Sequence, residues 1–105
     1  MFFGPKIRSI DTSEIAEELK QRGAVLLDVR EPSEYRGGHV PGAKNVPLGT
    51  LPGGAARIAT DAHVLVICHS GSRSVAAAKI LMRAGYSDVT NVRGGTSAYR
   101  GALKR

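Results

Sequence analysis

Three short apolar runs constrain this chain more than any other feature. They are "AVLLD" (Ala24–Asp28), "HVLVI" (His63–Ile67) and "DVTNV" (residues 88–92). Each is too short for a helix of its own; the first two are apolar almost throughout, and the third sets Val89 and Val92 among polar residues. Such runs read as strands buried on both faces, the mark of a parallel sheet covered by helices. The stretches between them have helical spacing. "DTSEIAEELKQRG" (residues 11–23) predicts a helix with Asp11 as N-cap, Glu14 completing a capping box and Gly23 just past its end. Ile15, Ala16 and Leu19 would share its apolar face, and Lys20 and Arg22 would sit in its last turn, favoured by the helix dipole. "SVAAAKILMRAG" predicts a second helix, with Ala77, Ile80, Leu81 and Ala84 on one face and Gly85 at its end.

The remaining segments fit the same plan. "IRSI" (residues 7–10) predicts a short first strand. "EPSEYRGG" predicts a short helix with Pro32 in its first turn. A short strand is expected near residues 43–46, then a loop with a helical turn over "GTLPGGAARI". The chain closes with a glycine turn and a short helix in "GGTSAYRGALKR". The expected fold is α/β, a mostly parallel sheet with helices on both faces. With 105 residues, one domain over residues 1–105 is expected, its core at about 7–100.

Composition bounds the function. No window approaches the ~20 apolar residues of a membrane span. The start, "MFFGPKIRSID", lacks the apolar core and small-residue cleavage site of a secretory signal, so a cytoplasmic location is the default expectation. One cysteine cannot form an internal disulfide. Charge is uneven: residues 1–34 carry −2 and residues 35–105 carry +8. A basic half suits an anionic small substrate or an acidic partner, beside the plainer reading of a solvated basic surface. The basic residues are scattered and not interleaved with aromatics, so no nucleic-acid partner is expected. One Cys and three dispersed His (His39, His63, His69) lack zinc spacing, so no metal is expected.

The chemistry gathers where "HVLVI" gives way to the second long helix. Reactive groups in open α/β sheets collect at the carboxyl ends of strands. Cys68 directly follows one strand and Asp28 ends another. After Cys68 come His69, Ser70, Gly71, Ser72 and Arg73. The first amides of the following helix have no partner within it. Small loop residues let that backbone close around an anion. A free thiol titrates near pH 8.5, so a majority of thiolate at neutral pH needs about 2.7 kcal/mol. A helix terminus contributes about 0.3–1 kcal/mol, so converging amides and a nearby cation, with Arg73 the local candidate, must add the rest. A free cysteine is also a common small buried residue. The loop composition and Arg73 favour a thiolate nucleophile. His69 reads as a loop side chain facing solvent or ligand rather than a protease-type base.

"LLDVREPSEYRGGHVPGAKNVPL" (residues 26–48), "VICHSGSRS" (residues 66–74) and "VTNVRGG" (residues 89–95) together resemble the rhodanese family of sulfurtransferases. The similarity runs from about Ile10 to Tyr99. The resemblance implies a single rhodanese-like domain with a five-stranded parallel sheet. It implies that Cys68 takes a sulfur atom from thiosulfate or a similar sulfane-sulfur donor, and that the persulfide passes it to cyanide, a small thiol or a thioredoxin-like protein acceptor. No cofactor is implied. His69, Ser70, Gly71, Ser72 and Arg73 become the loop around the persulfide, with Ser74, Asp28, Arg30 and His39 supporting it. Glu34 and Tyr35 read as framework. Tyr99 stands where the family often has Trp.

Two other functions remain open. Phosphatases of the cell-cycle type are similar in fold and share the first motif. They carry five residues between Cys and Arg, whereas four separate Cys68 from Arg73, and Ser74 cannot replace the guanidinium fork. The shorter loop suits one sulfur atom better than a phosphoryl group. The other reading is a noncatalytic or sulfur-shuttling partner module.

Overall fold

The computed structural model describes residues 7–105. Its strands are β1 (Arg8–Asp11), β2 (Ala24–Asp28), β3 (Ala43–Asn45), β4 (His63–Ile67) and β5 (Val89–Arg93). They pair in the order β1-β5-β4-β2-β3, and every pair is parallel. The helices are α1 (Ile15–Glu18), α2 (Pro32–Gly37), α3 (Ser72–Arg83) and α4 (Gly95–Ala98). The architecture is the expected one, and the continuous apolar runs of β2 and β4 form its centre.

Strand β4 is buried along its whole length, and its alternation builds two cores. Val64, Val66 and Cys68 face α3, with Leu27, Val29, Ala77, Ala78 and Leu81. Leu65 and Ile67 face the other side, with Ile10, Ile15, Leu26, Val40 and Val92. Cys68 is therefore the next step of a strand pattern, carried one residue beyond the strand. This places its sulfur on the α3 side before any loop geometry is considered.

The long helix expected over residues 11–23 is not formed. A 3₁₀ turn at Thr12–Glu14 leads into the single-turn α1, and the chain then coils with tighter bonds, from Lys20 N–H to Glu17 O and from Gln21 N–H to Glu18 O. The capping pair does form, with Asp11 N–H donating to the Glu14 carboxylate at 2.7 Å. The apolar stripe is too narrow to hold more turns: Ile15 is buried and Ala16 exposed. Glu18 is also drawn toward the sheet, where it binds Arg8 at 2.8 Å and the His63 ring at 2.9 Å. The α-helix ends before Lys20, so Lys20 and Arg22 do not serve its last turn; Lys20 pairs with Glu17 instead.

In α3 the buried face is Ser74, Ala77, Ala78 and Leu81, while Ile80 is half-buried and Ala84 exposed. The helix is rotated from the expected stripe because the small residues let it sit close to the sheet. The closing helix stops at Ala98. The chain then extends, and Lys104 forms an antiparallel bridge with His39, their amides and carbonyls bonding at 2.8 and 2.9 Å. Among the described residues no helix is long and apolar enough to cross a membrane.

A buried ion pair fixes the turn after β2. Asp28 is fully buried and Arg30 is 5% exposed. The guanidinium grips both carboxylate oxygens, at 2.7 to 3.1 Å, and donates to Gly38 O at 2.8 Å. Asn45 ties the same turn by donating to the carbonyls of Asp28 and Arg30. Arg30→Met leaves a buried carboxylate without its counter-charge and is expected to cost about 3–5 kcal/mol in urea unfolding. The double replacement Asp28→Asn, Arg30→Met should cost less than the single one, since no lone charge remains.

Candidate active site

The loop after β4 turns its donors inward around one sulfur atom. Gly71 has φ +114° and ψ −15°, a conformation that only glycine adopts readily. That turn aims Gly71 N–H at Cys68 Sγ, 3.0 Å away. It also starts α3, whose first turn places the Ser74 hydroxyl 3.5 Å from the same sulfur. Cys68 itself is 1% exposed. Burial pushes its thiol up, but the Ser74 hydroxyl and the amides of Ser74, Gly71 and Ser70 outweigh that, and the net direction is below the ordinary value.

The outer side of the loop is held by α4. Thr96 N–H donates to Cys68 O at 2.8 Å, and Ser97 N–H donates to His69 O at 3.0 Å. The contact is so close that a Cβ on Gly95 would collide with both carbonyls. This gives the second glycine of "VRGG" a physical role: it lets one loop lie flat against the other.

Arg73 does not stand free beside the sulfur. Its fork binds the Glu34 carboxylate in a bidentate pair at 2.7 and 2.9 Å. Glu34 is fixed in turn by the N–H of Glu31 at 3.0 Å. The sequence reading gave Arg73 the part of a cation stabilising the thiolate. Its charge does interact with Cys68, but the closest stabilising donors are Ser74 and the amides. Two of the five guanidinium N–H groups are committed to Glu34, which leaves the others available.

The other expected site residues fall in two groups. His69 is exposed and lines a cavity of about 470 Å³ with Arg30, Glu34, Gly38, Thr96 and Leu103. Ser70 and Ser72 are exposed on the loop. Asp28 and His39 are buried, and Arg30, which lines that cavity, is held by Asp28. His39 stacks on Tyr35 with centroids 3.7 Å apart, and its Nδ1 lies 2.9 Å from Tyr35 O. The Tyr35 hydroxyl donates to Ala43 O. Sequence reasoning took Glu34 as framework and passed over Asn91, whose Oδ1 lies 2.5 Å from Ser74 Oγ. Neither has a local signal, because each meets its partner only across the fold.

The Arg73 fork and the Glu31 amide hold the Glu34 carboxyl at about 2. A depressed carboxylate contributes stability that is complete above about pH 4.5 and lost as pH falls toward 2. Both side chains are about one-third exposed, so solvent screening keeps the contribution below about 1 kcal/mol. The stability gap between the native chain and Glu34→Gln should therefore be constant from pH 7 to 5 and close between pH 4.5 and 2, as read by thermal unfolding at each pH.

The Rhodanese-like domain family matches residues 11–102. "Uncharacterized protein YqhL" of Bacillus subtilis is 41% identical over 79% of this chain, and the match spans 66% of that protein's length. A "Sulfurtransferase" of Allochromatium vinosum is 36% identical over 89% of this chain and 88% of its own. A "Thiosulfate sulfurtransferase GlpE" of Pseudomonas putida is 33% identical over 90% and 86%. A "Rhodanese-like Domain Protein" of known structure from Staphylococcus aureus superposes with a TM-score of 0.82 at 30% identity, covering 93% of this chain and 97% of that one. Family model, relatives and superposition agree: the chain belongs to the rhodanese-like domain family.

Proposed function

We propose that this protein is a cytoplasmic sulfurtransferase that carries a sulfane sulfur on Cys68. The observation that carries this reading is the convergence of polar groups on a single sulfur, with Gly71 N–H donating at 3.0 Å and Ser74 Oγ at 3.5 Å. The four-residue spacing from Cys68 to Arg73 supports it, since a cradle this tight suits one added sulfur rather than a phosphoryl group. The sulfurtransferase relatives support it as well.

The transfer runs in two displacements. The Cys68 thiolate attacks the outer sulfur of thiosulfate; the sulfur–sulfur bond of the donor breaks, and sulfite leaves with its electron pair. The product is a Cys68 persulfide, whose outer sulfur carries the negative charge. Gly71 N–H already faces Cys68 Sγ, and the loop amides beside it are the donors that stabilise the charge on the outer sulfur. An acceptor nucleophile, such as cyanide or a thiolate, then bonds to the outer sulfur and Cys68 departs as thiolate. The guanidinium donors of Arg73 not used by Glu34 hold the anionic donor. Asp28, Arg30 and His39 keep the walls of the entry in place.

Mass measurement after incubation with thiosulfate tests the reading. Gain of one sulfur atom is expected, and none in Cys68→Ser. Absence of the adduct together with Cys68-dependent hydrolysis of an aryl phosphate would instead establish phosphatase chemistry. Arg73→Lys keeps the charge but loses the fork, so kcat/KM for thiosulfate should fall by about tenfold or more in steady-state sulfur transfer. Unchanged kinetics would remove Arg73 from donor binding.

A further inference from the structure

Beneath Cys68 lies a polar pair that the two displacements do not use. Ser74 is fully buried and Asn91 is 4% exposed. Asn91 sits on β5, two residues after Val89, and so shares the face of the sheet that packs on α3. An apolar residue would fill that face without cost, whereas a buried amide is unfavourable unless it is bonded. Its bond is to Ser74: Oδ1 lies 2.5 Å from Ser74 Oγ.

Ser74 is contested. Its hydroxyl has one hydrogen, and three acceptors surround it: Asn91 Oδ1 at 2.5 Å, Gly71 O at 3.0 Å and Cys68 Sγ at 3.5 Å. Gly71 O already receives Val75 N–H. With Cys68 as a thiol the order is simple. Cys68 S–H donates to Ser74 Oγ, and Ser74 donates to Asn91 Oδ1. When Cys68 ionises, the sulfur requires a donor, and Ser74 must turn its hydrogen toward it. Two oxygens would then face each other across 2.5 Å with no hydrogen between them. A half-turn of the Asn91 amide removes the conflict, because it brings Nδ2 to the place of Oδ1 and supplies Ser74 with a donor.

We propose that Asn91 is a positioning residue for Cys68: its amide presents oxygen to Ser74 when the sulfur is a thiol and nitrogen when the sulfur is charged, so that the Ser74 hydroxyl follows the charge. The proposal rests on Cys68 acting as a thiolate. It explains why position 91 holds an amide, which can accept or donate, rather than a carboxylate or an apolar group. No proton is lost or gained by either residue. Only the direction of two hydrogen bonds reverses, while the Cys68 proton leaves to solvent.

The test needs no sulfur donor, so it is independent of whether the chain transfers sulfur. Cys68 is the only cysteine, and its alkylation by iodoacetamide across pH reports its ionisation. Asn91→Asp keeps the shape and offers only acceptors. It should raise the alkylation midpoint by about one pH unit and slow alkylation about tenfold at pH values below both midpoints. The added charge also acts through space, so the same replacement is made in Ser74→Ala, where no hydroxyl can relay. Less than half the shift is expected there. An equal shift in both backgrounds would overturn the relay. In the native chain, labelled for NMR, the side-chain amide resonances of Asn91 should move with the alkylation midpoint and stay still in Cys68→Ser. Amide resonances that do not respond to Cys68 ionisation would also overturn it, even if Asn91→Asp fails to fold.

Discussion

Two carbonyls anchor the loop that surrounds Cys68. A peptide unit is planar, so turning its C=O one way turns its N–H the other. Thr96 and Ser97 draw the carbonyls of Cys68 and His69 outward, at 2.8 and 3.0 Å. With the His69 oxygen anchored, the Ser70 amide of the same peptide turns toward the sulfur, while the Gly71 amide is aimed by the glycine's own turn. The arrangement depends on the backbone of Gly95 lying where a Cβ would not fit. The cradle is therefore made by two loops from the ends of β4 and β5, neighbours in the sheet. The parallel register of those strands brings the loops to the same edge. Sheet, loop and donors thus form one chain of causes, and the thiol is its last member.

The electrostatics of the site follow a similar economy. A thiolate in the interior is unfavourable, and burial alone would keep Cys68 protonated. The opposing effect comes from neutral dipoles at short range rather than from a full charge, and the Arg73 guanidinium is paired with Glu34. Dipoles fixed by the backbone do not need to reorganise as charge arrives. A free guanidinium on a flexible stem would have to be ordered first. The Glu34 pair does that ordering, and leaves Arg73 rigid at the edge of the site.

The strongest signals in the sequence were those of the sheet centre. The β2 and β4 runs were legible because a strand buried on both faces must be apolar throughout, and their bounds were read correctly at Ala24–Asp28 and His63–Ile67. The place of Cys68 at the end of β4 was legible because the apolar run stops there and small loop residues follow. Residues 11–23 misled for a physical reason. Capping residues and a terminal glycine mark where a helix can start and stop, but only a wide apolar stripe keeps it wound. The pairing of Glu34 with Arg73 spans 39 positions, and that of Ser74 with Asn91 spans 17. Local pattern carries no trace of such contacts. The bridge from Lys104 to His39 was invisible for the same reason.

That bridge has a consequence for the cavity beside the loop. Leu103 forms part of its wall, yet the segment that carries Leu103 belongs to no sheet or helix and is tied down chiefly by the two backbone bonds to His39. Local opening of such a segment takes much less free energy than melting a buried strand. The width of that cavity and the packing of the sheet are therefore governed by two separate equilibria, the local opening of this segment and the cooperative unfolding of the strands.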